Sequence, residues 1–464
     1  MSAFLGELPL AAAAKLFAAI EADRRAGGKG LPHDALIADL RARLAEQGGP
    51  MPSRSKSAKR TFFSLFEDLF VSTRKGRKRQ GQIARTSLDP IWRMMMTDPA
   101  LTEAAMAAAN LDDAYAAGEG DAGARERAMF IAAEAGLGRI NARLKDSEDA
   151  RDALVSELGG EGALSDLEEI RFLLGAADVL ATLRVVVPSH APSLDEEQLY
   201  SLRQLFISAY EQSPQYGSYL LLALKGRLEA PWRALGVYYH LARSADERLA
   251  PARDTVMSLP ESLFEDLEGM ARRLEKAGEA PLDAETARAR LAWFADYADG
   301  LTRHAQKAGD NVFLNRIEAC RDIAAEAHAR YLEQAYAAMR AAMPVRASAG
   351  SSKLAPPRPD FIRPLVPETV TEARRATALL AVAADDAKRL GADGAAPSEI
   401  VKEAAARAAQ YAGDLVNEIR AAEGQERAAA RRLLEQTLSV IEPLLKSDEI
   451  GLLRDRAAAA AVTV

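Results

Sequence analysis

Cysteine is nearly absent, because Cys320 is the one cysteine among 464 residues. An intramolecular disulfide and a zinc site made of several cysteines are therefore excluded, and the composition fits a reducing compartment. Histidine is also scarce: no two histidines lie three or four positions apart, and none follows a glutamate by three, so the helical zinc and di-metal patterns are missing. We predict no metal site and no cofactor. The five histidines are His33, His190, His240, His304 and His328.

Long apolar runs are missing as well. The longest aliphatic stretch, YLLLAL at 219–224, is far shorter than the ~18 residues that a membrane-spanning helix needs. The first residues, MSAFLGELPL, carry Glu7 and no basic residue before their apolar stretch, which is a poor match to a secretory signal. These features predict a cytoplasmic protein.

Catalytic motifs are absent or lack their structural context. The string GEGDAG at 118–123 matches G-x-G-x-x-G, but an alanine-rich helical pattern precedes it, and Glu119 and Asp121 would repel a phosphate. We predict a loop there, no catalytic residue and no enzymatic activity, and nothing indicates a small-molecule substrate. The remaining candidate is His240 in VYYHLARSADER, where tyrosines, Arg243 and carboxylates are close in sequence. A satisfied core histidine is the structural alternative to a helical enzyme with a pocket near His240.

Alanine is what the chain has in excess, at about a fifth of its residues. Alanine loses no side-chain entropy in a helix, while the residues that favour strands are few. Apolar periodicity of the helical kind recurs almost throughout. The sequence therefore predicts an all-α fold: an irregular multi-helix array followed by a proline-rich linker and a small antiparallel helical bundle.

The domain organisation follows from breaks in this periodicity. Six prolines fall within 344–368, which predicts a semi-rigid linker or strap. Ser193 and Glu196 predict a capping box, and Pro260 predicts that the helix over 252–277 is two shorter pieces. The predicted divisions are a helical hairpin at 1–50, a basic linker with a short aromatic helix at 51–85, a main helical domain at 86–343, the proline-rich linker at 344–368 and the bundle at 369–464.

The bundle carries heptad-like apolar seams that resemble those of coiled coils. Leu380, Leu415 and Leu438 belong to three such faces, one on each predicted helix. Because such seams also join separate chains, we predict that self-association through 369–446 contributes to a scaffold role.

One segment differs from the rest of the chain: KRTFFSLFEDLFVSTRKGRKRQ at 59–80. Residues 54–85 contain ten basic and two acidic side chains, while the whole chain has a net charge of −7. On a helix the phenylalanines share one face, with Ser64, Glu67 and Asp68 opposite. A core helix with solvated flanks, a docking site for a protein, a membrane-surface element and a nucleic-acid contact are the four interpretations.

We predict a non-enzymatic scaffold or adaptor that binds other macromolecules, with protein partners. The alternative is a protein that binds a membrane or another anionic surface, lipid or nucleic acid, through 54–79. The candidate interaction residues are Phe62, Phe63, Phe66, Phe70, Arg74, Lys75, Arg77, Lys78 and Arg79.

Overall fold

The computed structural model describes residues 58–72, 78–96, 147–347 and 357–462, together with a few single residues before 147. The predicted hairpin at 1–50 and the predicted loop at 118–123 therefore lie outside the described residues, apart from Leu16, Ile20 and Leu36. The described residues divide into two compact units. The first holds those within 1–67, 71–78 and 83–174, and the second holds those within 68–70, 79–82 and 175–464.

The first unit contains four described helices. Their amphipathic faces meet in a core that includes Phe62, Ile91, Leu154 and Ile170. The helix Glu148–Leu158 is capped at its start by Ser147, whose side chain accepts the Ala150 N–H, and at its end by Gly159, which is in the left-handed region. The helices are α1 (Ala58–Ser64), α2 (Leu88–Met95), α3 (Glu148–Leu158) and α4 (Glu161–Leu174).

The second unit contains twelve described helices, and the longest of them, Asn311–Ala341, packs against five others. Proline, glycine and N-capping aspartates separate them. In order they are α5 (Ala177–Val186), α6 (Glu196–Gln212), α7 (Pro214–Arg227), α8 (Ala234–Ala242), α9 (Arg253–Ala277), α10 (Ala284–Ala308), α11 (Asn311–Ala341), α12 (Pro367–Ala381), α13 (Ala383–Arg389), α14 (Ala395–Ala421), α15 (Gly424–Ile441) and α16 (Ser447–Val462).

The all-α prediction is confirmed, since sixteen helices account for nearly all regular structure in the described ranges. The described strands have two residues each. Strands β1 (Phe70–Val71) and β2 (Ile83–Ala84) form one sheet. Strands β3 (Val345–Arg346) and β4 (Arg358–Pro359) form the other, in which Val345 pairs with Pro359 in antiparallel register.

Two local predictions are wrong. Helix α9 runs unbroken through Pro260. A proline inside a helix costs about 3 kcal/mol, but Leu259, Leu263 and Phe264 beside it are fully buried, and their burial offsets this cost. The capping box is formed two residues later than predicted: the Asp195 side chain accepts the Gln198 N–H, and the Gln198 side chain accepts the Asp195 N–H. Aspartate caps as well as serine does, so the choice between them depends on where the first turn packs.

The predicted seams of 369–446 are buried within the second unit. Leu380, Leu415 and Leu438 are inaccessible to solvent, and α14 packs against both α15 and α16. Helix α12 packs against α11 as well as α15. While the chain is folded, these seam side chains contact other parts of the same chain. Self-association through 369–446 stays a prediction that would have to use other side chains of this region.

Candidate functional site

The aromatic face of the basic segment points into the first unit. Phe62, Phe63 and Phe66 are almost completely buried. The rings of Phe62 and Phe63 meet edge to face with centroids 5.0 Å apart, and Trp92 of α2 lies 5.9 Å from Phe62. Edge-to-face pairs add to the stabilisation that burial provides. These three rings are core side chains, so the folded chain does not present them to a partner or a bilayer.

Helix α1 is also shorter than the sequence predicts. It ends at Ser64, a 3₁₀ turn follows at Glu67–Leu69, and Phe70 is half-buried at the start of β1. Asp68, predicted on the polar face, instead forms an ion pair with Arg227 of α7 at 2.8 Å. Both residues belong to the second unit, where Arg227 is 4% exposed and Asp68 is 12% exposed.

The two described basic candidates form ion pairs within the chain. Lys78 pairs with Asp166 and Glu169 of α4, both buried. Arg79 lies 3.3 Å from the Glu265 carboxylate and 3.9 Å from that of Asp266. Arg74, Lys75 and Arg77 lie outside the described residues. The docking, membrane and nucleic-acid interpretations of 54–79 stay predictions that concern mainly those residues and the ones before 58.

Asp166 organises the polar core of the first unit. Its carboxylate accepts the Ala84 N–H at 3.2 Å and the Ser87 hydroxyl at 2.7 Å, in addition to the Lys78 ammonium. A buried carboxylate is tolerated when it is both hydrogen-bonded and paired with a cation. Lys78 therefore has a structural role in this unit.

His240 lies on α8, between two cavities of about 550 and 560 Å³, but it lines neither. The first cavity is lined by Tyr238 and Leu241, and the second by Val237 and Tyr239, among others. His240 is half-buried, and burial together with the charge of Arg203 lowers its pKa. A neutral imidazole is thus favoured, and the enzyme hypothesis near His240 stays untested.

His328 of α11 is the most buried described histidine, and burial lowers its pKa from 6.5 to about 4. Because the folded-state pKa is the lower one, the unfolded chain takes up this proton first. The contribution of neutral His328 to the free energy of unfolding is fully present above pH 6.5 and is lost as the pH falls towards 4. Relative to a His328→Leu variant, the wild-type chain should lose about 2 kcal/mol of unfolding free energy between pH 7 and pH 5.

Urea denaturation at several pH values measures this difference. His190→Asn is the matched control, because His190 is exposed and has a positive φ of 57° that asparagine tolerates. The control should keep the wild-type pH dependence. If the unfolding free energies of the wild-type chain and of His328→Leu changed equally with pH, the prediction would be contradicted.

The proline-rich strap is anchored where it is described. The Asp360 N–H donates to the Pro344 carbonyl at 2.8 Å, next to the β3–β4 pair. Glu418 of α14 pairs with Arg346 at 3.3 Å and with Arg358 at 3.7 Å. Phe361 is buried beneath the Arg346 guanidinium, which lies 4.7 Å from the ring centroid. Strands, ion pairs and a cation–π contact thus fix the chain just before residue 362.

Residues 362–367, which we call the IRPLVP segment, follow this anchor. Ile362 is 64% exposed and Val366 is 57% exposed. Arg363, Pro364 and Pro367 are exposed too, and Leu365 is half-buried. Val366 has φ −70° and ψ 133°, close to polyproline II, and Pro367 occupies the first position of α12. Ile362 and Arg363 lie in a bend of the chain, and residues 364–366 lead from it into α12. The segment is therefore mostly apolar and exposed, and it is attached to ordered structure at both ends.

Searches against protein-family models, curated proteins and solved structures found no match to this chain. Within the described ranges, no helix combines the length and apolarity needed to cross a membrane. Nor do three or more His, Cys, Asp or Glu side chains converge there in a way that could hold a metal ion.

Proposed function

We propose that this protein is a non-enzymatic helical scaffold or adaptor that presents the IRPLVP segment to a partner protein. The observation that carries the proposal is the exposure of Ile362 and Val366 on an anchored stretch of chain. Contiguous apolar patches on a protein surface mark interaction sites.

The partner that fits is a protein domain with an aromatic-lined groove. Such grooves bind P-x-x-P segments in the polyproline II conformation, where three residues complete a turn. Pro364 and Pro367 have this spacing. Val366 between them already has dihedral angles close to polyproline II, and Pro367 begins α12.

Preorganisation supports the same conclusion. A free peptide loses conformational entropy when a groove orders it. Here the Glu418 ion pairs and the buried Phe361 fix the segment on one side, and α12 fixes it on the other. Less entropy is therefore lost on binding than for a free proline-rich tail.

The test places a photo-crosslinking amino acid at position 363 in cells that express the protein. The same residue at position 372, an exposed site on α12, is the matched control. We expect an adduct at 363 that is missing at 372. The crosslinked protein, once purified, should bind the wild-type chain with a Kd at least tenfold lower than for a Pro364→Ala/Val366→Ala variant.

A Glu372→Ala variant should bind that partner within twofold of the wild-type chain. Two results would contradict the proposal. One is that no adduct forms specifically at position 363, and the other is that the double substitution leaves the Kd of the partner unchanged. Unchanged circular dichroism of the variants would show that the loss comes from the segment rather than from unfolding.

A further inference from the structure

The larger of the two cavities beside α8, which we call the cationic cavity, is built entirely within the second unit. Its volume is about 560 Å³, inside the range of small-molecule sites. Its walls come from the chain before and at the start of α6, from Leu228, from Arg233 and helix α8, and from the last turn of α10.

The charged side chains that line this cavity are all basic. Arg233, Arg243 and Lys307 surround it together with His304, and no carboxylate is among its lining residues. The chain as a whole carries a net charge of −7, so this concentration of cations is local. Clefts lined by one sign of charge raise the local concentration of the opposite ion.

Part of the cationic wall is fixed by neighbouring groups. The Arg243 guanidinium donates to the Ala308 carbonyl and lies 5.3 Å from the Tyr239 ring centroid. The Tyr239 hydroxyl donates to Asp310 at 3.2 Å. Arg233 has Glu229 at 3.9 Å, a distance that leaves the pair weak and exposed. These contacts hold Tyr239 and Arg243 in the cavity wall, and they do not neutralise all of the positive charge of the cavity.

His304 lines the cavity beside these cations. Its pKa is lowered first by burial and then by the charges of Arg303, Lys307 and Arg233. The imidazole packs against Gly236 of α8, where an added Cβ would lie 3.0 Å from its Cε1 atom. A glycine at 236 thus makes room for this ring in the wall.

The rest of the lining is largely apolar. Leu194, Leu199 and Val237 contribute, and the Ser193 and Tyr239 side chains add hydroxyls. A mostly apolar pocket with a few convergent polar groups is the usual architecture of a small-molecule site. An inorganic anion alone would leave the apolar wall unused.

We infer that the cationic cavity binds a small amphipathic organic anion, whose carboxylate or phosphate contacts Arg233, Arg243 and Lys307 and whose apolar body packs on Leu194, Leu199 and Val237. This site is separate from the IRPLVP segment and does not depend on the proposed scaffold role. A planar guanidinium and an ammonium suit either head group, through charge-assisted hydrogen bonds.

Isothermal titration of the full chain with octanoate and with octyl phosphate tests the inference, with 1-octanol as the neutral probe. At least one anion should bind at least tenfold more tightly than octanol, and binding should weaken as salt is raised. Tighter binding of octyl phosphate would assign the site to phosphate esters, and tighter binding of octanoate would assign it to carboxylates; both support the inference.

The Arg233→Gln/Lys307→Gln variant should raise the Kd of the preferred anion at least tenfold. Lys276→Gln is the matched control, because Lys276 and Lys307 are both exposed lysines in the last turn of a 25-residue helix. It should stay within twofold of wild type. Thermal unfolding of both variants checks that the fold is kept.

Three results would overturn the inference. They are no binding of either anion, equal binding of octanol and the anions, and unchanged anion binding in the folded double variant. The first would show that Arg243 and Lys307 serve only the helix C-termini, where positive side chains offset the carbonyl dipoles.

Discussion

Replacing Arg227 with alanine should lower the free energy of unfolding by about 3–5 kcal/mol, the usual cost of removing one partner from a buried ion pair. The Arg227 guanidinium donates to the Asp68 carboxylate at 2.8 Å and to the Val187 carbonyl at 2.5 Å. Its loss leaves a carboxylate that is 12% exposed without this cation and a backbone acceptor without this donor. Urea denaturation, with hydrogen exchange of the α7 amides as a local probe, measures the loss.

Two further variants separate charge from packing. The double variant Arg227→Ala/Asp68→Ala should recover part of the lost stability, because it removes the uncompensated carboxylate. Arg330→Ala is the control, since Arg330 forms an exposed pair with Glu326 at 3.7 Å, and such pairs contribute about 0–1 kcal/mol. If Arg227→Ala cost no more than Arg330→Ala, the buried pair would not stabilise the second unit.

The sequence predicts this helical architecture well because its signals are local. Alanine content, apolar periodicity and aspartate caps lie within a few residues of the helices that they specify. Asp283, for example, caps α10 by accepting the Thr286 N–H. Where two residues could both cap a helix, as Ser193 and Asp195 could, tertiary packing determines which of them does.

The Arg227–Asp68 pair had no such local signal, because its partners are 159 residues apart. Asp68 was placed on a solvated helix face. In the structure, its backbone instead crosses α7 so closely that a Cβ at Gly226 would lie 2.2 Å from the Asp68 carbonyl oxygen. The glycine is a clue to close approach, but the sequence does not say which segment approaches it.

The cationic cavity was missed for a related reason. Arg233 and Lys307 are 74 positions apart, and each occurs in a sequence context typical of a solvated charge or a helix end. Their convergence depends on how α8 packs against α10. The basic run at 74–79 was easier to notice because its charges are consecutive. The structure assigns Lys78, whose side chain is 22% exposed, to ion pairs with two buried carboxylates. The density of charge along the chain is therefore a poor guide to which cations are available to a partner.

Substituting Lys78 with methionine tests that assignment and should lower the free energy of unfolding by about 3–5 kcal/mol. Methionine keeps the aliphatic length but removes the ammonium that pairs with Asp166 and Glu169. Both carboxylates are buried, and a charge without its partner in such surroundings is strongly destabilising. Urea denaturation and hydrogen exchange of the α4 amides measure the effect.

The control is Lys402→Met. Lys402 pairs with Glu399 at 2.7 Å, and both side chains are more than two-thirds exposed. This substitution should change the free energy of unfolding by no more than about 0.5 kcal/mol. Adding Asp166→Asn and Glu169→Gln to Lys78→Met should restore part of the loss, because these substitutions also remove the negative charges that the ammonium balances. If Lys78→Met were as stable as the wild-type chain, the ammonium would not be needed in the core. Lys78 would then rejoin Arg74, Lys75 and Arg77 as a candidate contact for an anionic surface.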